Sequence, residues 1–193
     1  MGEREVGLNL IGARPCVGKT DYAMRLAAEM IDSGNSRVLY FCPNERKSVF
    51  AARFAEYYSS KTLDNMIIND TPGMTWFDAA DIISKTSGVN TVFIDSIDSF
   101  CNARYSKSLE MAFNKFSEMA KEKSITIYVL SELLRSADIR EGYVPEPEDI
   151  RHFDNLKGYI NNVYLLTRPE FYDESLPEEG VKLGKHLHIE HKE

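Results

Sequence analysis

The amino-acid sequence predicts an α/β protein built on a mostly parallel central sheet with helices on both faces. Three observations predict it. Short apolar runs rich in β-branched and aromatic residues, each of strand length, recur along the 193 residues. Amphipathic stretches with helical spacing separate the first five runs, an alternation that implies parallel strands joined by right-handed crossovers. From about residue 132 the alternation gives way to a polar, Pro-containing loop and then two late strands that extend the sheet.

Taken in order, the strand candidates are VGLNLIG (6 to 12), RVLYFC (37 to 42), NMIIN (65 to 69), TVFID (91 to 95), ITIYVL (125 to 130), YINNVYLLT (159 to 167) and KHLHIEH (185 to 191). Between the first two, Ala23, Leu26, Ala27, Met30 and Ile31 share a helical face, and Gly34 follows as a stop signal. Residues 106 to 122 carry Leu109, Phe113, Phe116 and Ala120 at three- and four-residue steps, a second helix. A chain of this length suits a single domain, residues 1 to 193, and buries roughly 70% of the surface it exposes when unfolded.

Composition narrows the function classes. No window approaches the roughly 18 uninterrupted apolar residues of a membrane span. The start, MGEREVGLNL, mixes charges of both signs and has no signal-peptide pattern, so the chain reads as cytoplasmic with no membrane partner. Cys16, Cys42 and Cys101 are far apart, odd in number and without metal-ligand spacing, which suits reduced thiols rather than disulfides or a zinc site. The net charge of -7 argues against a surface that grips nucleic acid all over, because phosphate binding needs Lys and Arg. A local basic groove stays open.

The chemistry begins at ARPCVGKT, residues 13 to 20. This stretch fits the phosphate-binding pattern G-x-x-x-x-G-K-S/T with Ala in place of the first Gly, and it lies between a strand and a helix, the context the pattern requires. Successive backbone N–H groups in such a loop curl around an anion, and the following helix N-terminus adds partial positive charge. The candidate nucleotide-binding residues are Ala13, Arg14, Pro15, Cys16, Val17, Gly18, Lys19, Thr20 and Asp21. Gly18 lets the backbone approach, Lys19 reaches the outer phosphates and the Thr20 hydroxyl ligates Mg2+. A second metal-side group is needed, and Asp95 ends the strand TVFID where a carboxylate would hold Mg2+ through water.

Several further stretches, in order and spacing, carry a resemblance: VLYFCPNE, INDTPGMT, VFIDSID, VLSELLRS and EDIRHFDNLKGYINNVYLLTR. From about residue 6 to 191 the chain resembles the C-terminal ATPase domain of DnaB-type replicative helicases, a RecA-like P-loop fold. That resemblance implies ATP as nucleotide, Mg2+ as cofactor, assembly into a homo-oligomeric ring with ATP at subunit interfaces, and action on single-stranded DNA in replication. Other RecA-like ATPases, such as recombinases or clock-type proteins, fit DTPGMT and DIRHFDNLKGYINNVYLLTR less well.

The chain departs from the family pattern at three places. The family's second strand ends in a pattern like F-S-L-E-M, whose Glu orients the attacking water, whereas here the stretch is FCPNE. Counting back from Arg53, which matches a family arginine, puts Asn44 at that position and Glu45 one step on. Asn cannot accept a proton but can position a water. Glu45 either substitutes through a one-residue shift or is an ordinary surface carboxylate. In VLSELLR, Glu132 stands where the family usually has Gln near the terminal phosphate, so it is either protonated, metal-bound or turned toward solvent. The family continues past the last strand into a Lys-x-Arg-Asn-Gly segment whose cations reach the neighbouring subunit, but this sequence ends at HKE, with Lys192 as the one retained charge. The N-terminal collar domain of the family has no counterpart.

Residues 135 to 157 correspond to DNA-facing loops and hold Arg135, Arg140 and Arg151 among a majority of acids. They are DNA-binding candidates, with a merely solvated polar loop as the alternative. His186 and His188 share a strand face, with His191 nearby, and read as a surface strand before a metal site. Two functions follow: an ATPase of the DnaB-like helicase family, or a catalytically weakened nucleotide-binding module that regulates or partners a full-length helicase.

Overall fold

The computed structural model describes residues 5–34, 36–101 and 106–190. Strands β1 (Gly7–Ala13), β2 (Val38–Phe41), β3 (Met66–Asn69), β4 (Thr91–Ile94), β5 (Thr126–Glu132), β6 (Asn162–Thr167) and β7 (Lys182–His188) form one sheet in the order β3-β2-β4-β5-β1-β6-β7. All neighbours pair in parallel except β6 and β7, which are antiparallel. The helices are α1 (Lys19–Asp32), α2 (Lys47–Tyr57), α3 (Ser60–Leu63), α4 (Trp76–Lys85), α5 (Ile97–Phe100), α6 (Ser106–Lys123) and α7 (Phe153–Leu156). This is the mostly parallel, helix-flanked sheet with late strands at one edge that the sequence calls for.

Period-two alternation decides which helix covers which face. Leu39, Phe41, Val92 and Ile94 point into one core with Trp76 and Ile83 of α4 and Phe113 and Phe116 of α6. Val38, Tyr40 and Phe93 point into the other, with Ala23, Leu26 and Ala27 of α1 and Phe50 and Phe54 of α2. Strands buried on both faces read as unbroken apolar runs rather than as alternations, which is why these segments are legible as parallel strands.

Two strands differ from the sequence expectation by three residues, the others by two at most. The sixth strand begins at Asn162, not 159, because Lys157–Tyr159 forms a 3-10 turn and the Asn161 side-chain carbonyl accepts the Leu8 N–H at 2.9 Å. The seventh runs Lys182–His188 rather than 185 to 191, because its antiparallel pairing starts opposite Thr167, the last residue of β6. His191 and Lys192 lie outside the described residues. All the strands from β1 to β6 end on the same edge of the sheet, and that edge carries the residues singled out above.

Candidate nucleotide-binding site

The loop between β1 and α1 is built around an uncapped helix end. Gly18 is the N-cap residue of α1, with φ 113° and ψ 32°, and no side chain caps the first turn. A backbone in this left-handed region suits glycine, and a Cβ there would also lie 3.2 Å from Val181. The contrast with α4 is informative: there Thr75 and Asp78 close a capping box, so the helix's free N–H groups are already used. At α1 they stay open to an anion. Ala13 replaces the first glycine of the pattern without penalty because it is still in strand, fully buried and paired with Glu132.

Side chains around the loop divide into two groups. Arg14 turns away from it: its Nε and Nη2 donate to Asp138 at 2.7 and 3.0 Å and its Nη1 donates to the Leu133 carbonyl at 2.8 Å. Thr20 turns in beside Asp95, and its hydroxyl favours the ionised carboxylate there. The Tyr40 hydroxyl donates to Asp95 Oδ2 at 3.0 Å. Burial is the largest influence on Asp95 and raises its carboxyl above the ordinary range, while Thr20, the bond from Tyr40 and the charge of Lys19 pull the other way. A hydroxyl and a carboxylate held together beside a lysine form an all-oxygen donor set suited to a hard cation such as Mg2+.

Two of the positions where the sequence departs from the pattern it resembles lie just after β2 and at the end of β5. Asn44 is exposed and its Nδ2 donates to Ser99 Oγ at 2.5 Å. Glu45 is the more enclosed of the two. Its Oε1 accepts Arg53 Nη1 at 2.7 Å, with 21% of its side chain exposed, and its charge contributes to the raised pKa of Asp95. Arg53 Nη2 also donates to Asp21 Oδ1 at 2.7 Å, so one guanidinium ties the start of α1 to the end of β2. Glu132, exposed at the tip of β5, gives its backbone N–H to Asp98 Oδ2 at 3.0 Å. Burial raises the Asp98 carboxyl as well, opposed by the Glu132 N–H bond and the charge of Lys19, while the Glu132 charge adds to the rise.

The remaining candidates scatter. Arg140 is committed to Asp149, which is fully buried and also accepts Ser136 Oγ and the Glu146 N–H. Arg135 is exposed and Arg151 half-buried. His186 and His188 both contact Asn162 Oδ1, at 3.2 and 3.1 Å. Among the described residues no helix is long and apolar enough to cross a membrane.

Sequence reasoning missed part of the site. One cleft of about 820 Å3 runs from Cys16–Asp21 past Met24, Arg25 and Arg53 to Tyr57 and Tyr58, and Arg168, Gly180 and Val181 also line it. That volume is within the roughly 300–1,000 Å3 range of small-molecule sites. Residues 168–181 reach it from a segment that sequence alone reads as a plain connection. Tyr40 was findable, since a tyrosine inside a buried strand needs a partner for its hydroxyl.

Comparison with known proteins follows the same line. Residues 51–192 match the family described as DnaB-like helicase C terminal domain. Replicative DNA helicases DnaB from Leifsonia xyli and Haemophilus influenzae are each 22% identical, over 89% and 90% of this chain and 44% and 45% of their own lengths. The chain thus spans less than half the length of those relatives. Among solved structures, a DnaB-like replicative helicase, described together with its interactions with primase, superposes with a TM-score of 0.76 at 20% identity, covering 94% of this chain and 52% of that one. A KaiC-like protein from Pyrococcus horikoshii gives 0.63 at 16% identity, covering 84% and 71%. These likenesses carry the RecA-like fold.

Proposed function

Because the chain belongs to the DnaB-like helicase C-terminal domain family, we propose that it binds ATP with Mg2+ at the β1–α1 loop and hydrolyses it in connection with single-stranded DNA in replication. The observation that carries this reading is the uncapped N-terminus of α1 at a left-handed Gly18, with Thr20 and Asp95 together beside it. Backbone N–H groups from Cys16 to Thr20 cradle the inner phosphates and Lys19 meets the outer ones. Thr20 and Asp95 would hold Mg2+, which would supply neutralisation of the phosphate charge.

Glu45 is the group we assign to the attacking water. Its carboxylate is the more enclosed of the two candidates and is held by Arg53, which lines the cleft, and in this reading it orients the water and takes its proton as the terminal phosphoryl bond breaks. Asn44 is engaged by Ser99. We further propose a cytoplasmic single-domain unit working as a homo-oligomeric ring or beside a larger helicase partner. Arg135 and Arg151 are the arginines on the loop after β5 best placed for DNA phosphates, since Arg140 is held by Asp149.

A second reading, a nucleotide-binding module that regulates a full-length helicase, is favoured by one observation: an acidic Glu132 beside Ala13, where negative charge opposes polyphosphate. Steady-state ATP hydrolysis with and without single-stranded DNA, with Lys19→Ala as blank, separates the two. Turnover that DNA stimulates supports the motor. Binding without turnover supports the module, and no binding at all sinks both.

A further inference from the structure

Helix α2 carries an aromatic column from the core to the cleft. Phe50 and Phe54 are fully buried and stack at 6.3 Å, and the Tyr58 ring lies 4.7 Å from Phe54, tilted by 45°. Tyr57, the last residue of the helix, has its ring centroid 6.3 Å from that of Tyr58 and is 74% exposed. The column anchors Tyr58, and Tyr57 lies open at the cleft.

The arginines lining that cleft are already engaged. Arg53 is bonded to Glu45 and Asp21, Arg168 to Glu170 and Glu178, and the Arg25 guanidinium lies 5.1 Å over the Tyr22 ring. Gly180 and Val181 are fixed as well: Val181 sits against Gly18, and the Gly180 N–H donates to Glu170 Oε1 at 2.6 Å. The cleft that holds the loop also has room for a base, and the exposed aromatic face there is Tyr57's. Every base has a π-face, so an aromatic platform holds it without edge-specific hydrogen bonds.

We propose that Tyr57, backed by Tyr58, is the nucleobase subsite, on which the purine ring of the nucleotide stacks. This rests on nucleotide binding at the β1–α1 loop, and the test separates the two. Calorimetry with Mg2+ compares ATP with inorganic tripolyphosphate, which has the phosphates and no base. In Tyr57→Ala, ATP affinity falls about tenfold, equivalent to about 1.4 kcal/mol, while tripolyphosphate changes less than twofold. Tyr57→Phe retains ATP affinity, because the ring and not the hydroxyl carries the contact. In the unaltered chain, ATP and not tripolyphosphate shields Tyr57 from nitration by tetranitromethane, a readout that needs no variant. Unchanged ATP affinity in Tyr57→Ala, equal losses for both ligands, or no shielding by ATP each overturn the subsite. Failure of the underlying reading looks different, since the unaltered chain then binds neither ligand.

Discussion

Two sets of residues at the strand ends obey different constraints. After β1 and β4, the groups of the proposed phosphate grip are backbone N–H groups, a left-handed glycine and Asp95, which Tyr40 bonds and Thr20 flanks. After β2 and at the tip of β5, the groups that bear on turnover in that reading are single side chains: Asn44 and Glu45 on the loop after β2, and Glu132 as the last residue of β5. Backbone geometry tolerates substitution at Ala13, which stays in strand whatever its side chain. A catalytic carboxylate has no such tolerance, because one residue's shift along a turn changes which side chain faces the site. The comparison teaches that binding and turnover can diverge in one small domain.

Lys19→Ala breaks the comparison hardest, since it removes charge from the set that is otherwise complete. Its ammonium acts on both Asp95 and Asp98. Loss of one preorganised cation at developing phosphate charge is expected to cost about 10^2 to 10^3 in turnover, with nucleotide affinity reduced as well. Calorimetry and steady-state hydrolysis read the two effects separately. Unchanged values for both would remove the loop from the site.

Next in size is the pair Glu45→Gln and Asn44→Ala. Removing a general base typically costs about 10^2 to 10^4 in rate. Glu45→Gln is therefore expected to lower hydrolysis about 10^2-fold at nearly constant ATP affinity, whereas Asn44→Ala leaves both within about threefold. The reverse ranking would return the water to Asn44. Asn44→Glu then serves as the complement: it raises turnover only if the missing base at that position is what limits the rate.

How much of this was legible in the sequence depended on the kind of signal. The loop motif and Asp95 could be read because a strand, a glycine turn and a helix start are local and each leaves a residue-type trace. The parallel strands could be read because burial on both faces makes them continuously apolar. Glu45 and Asn44 could not be ranked, because the choice depends on Arg53, eight residues away from Glu45 and reachable only once α2 has formed. Tyr57, Gly180 and Val181 left no trace, since they meet the loop from separate segments. Arg140 looked like a DNA contact because its partner Asp149 is an ordinary acid in an acidic loop, and only its complete burial marks it as structural.

The loop after β5 offers the third test, on stability rather than chemistry. Burial alone would raise the Asp149 carboxyl, but bonds from Arg140, the Glu146 N–H and Ser136 outweigh it and hold the group below its ordinary value. A depressed folded-state value means the stabilisation is complete above the unfolded Asp value of about 4 and is lost as pH falls through the folded one. Asp149→Ala is expected to cost about 2 kcal/mol at pH 7, read by urea midpoints, and to flatten the decline toward pH 3. An unchanged acid limb would show that Asp149 contributes no linkage.

Arg14→Ala is the smallest expected effect and the sharpest test of where the grip resides. Arg14 belongs to the phosphate-loop pattern, yet its guanidinium leaves the loop and joins Asp138 and the Leu133 carbonyl. Burial, with the Asp138 carboxylate beside it, pushes the Tyr172 hydroxyl up to about 12, and Tyr143 stacks on Tyr172 at 5.0 Å, so Arg14 belongs to the packing of the segment beyond β5. If phosphate binding is a backbone property, losing this side chain costs stability of about 1 kcal/mol through its hydrogen bonds. ATP affinity then changes by less than about threefold, under 0.7 kcal/mol. A loss of affinity larger than the loss of stability would mean that the loop's shape depends on the Arg14 tether, and the division between a backbone grip and a side-chain turnover site would fail at that residue.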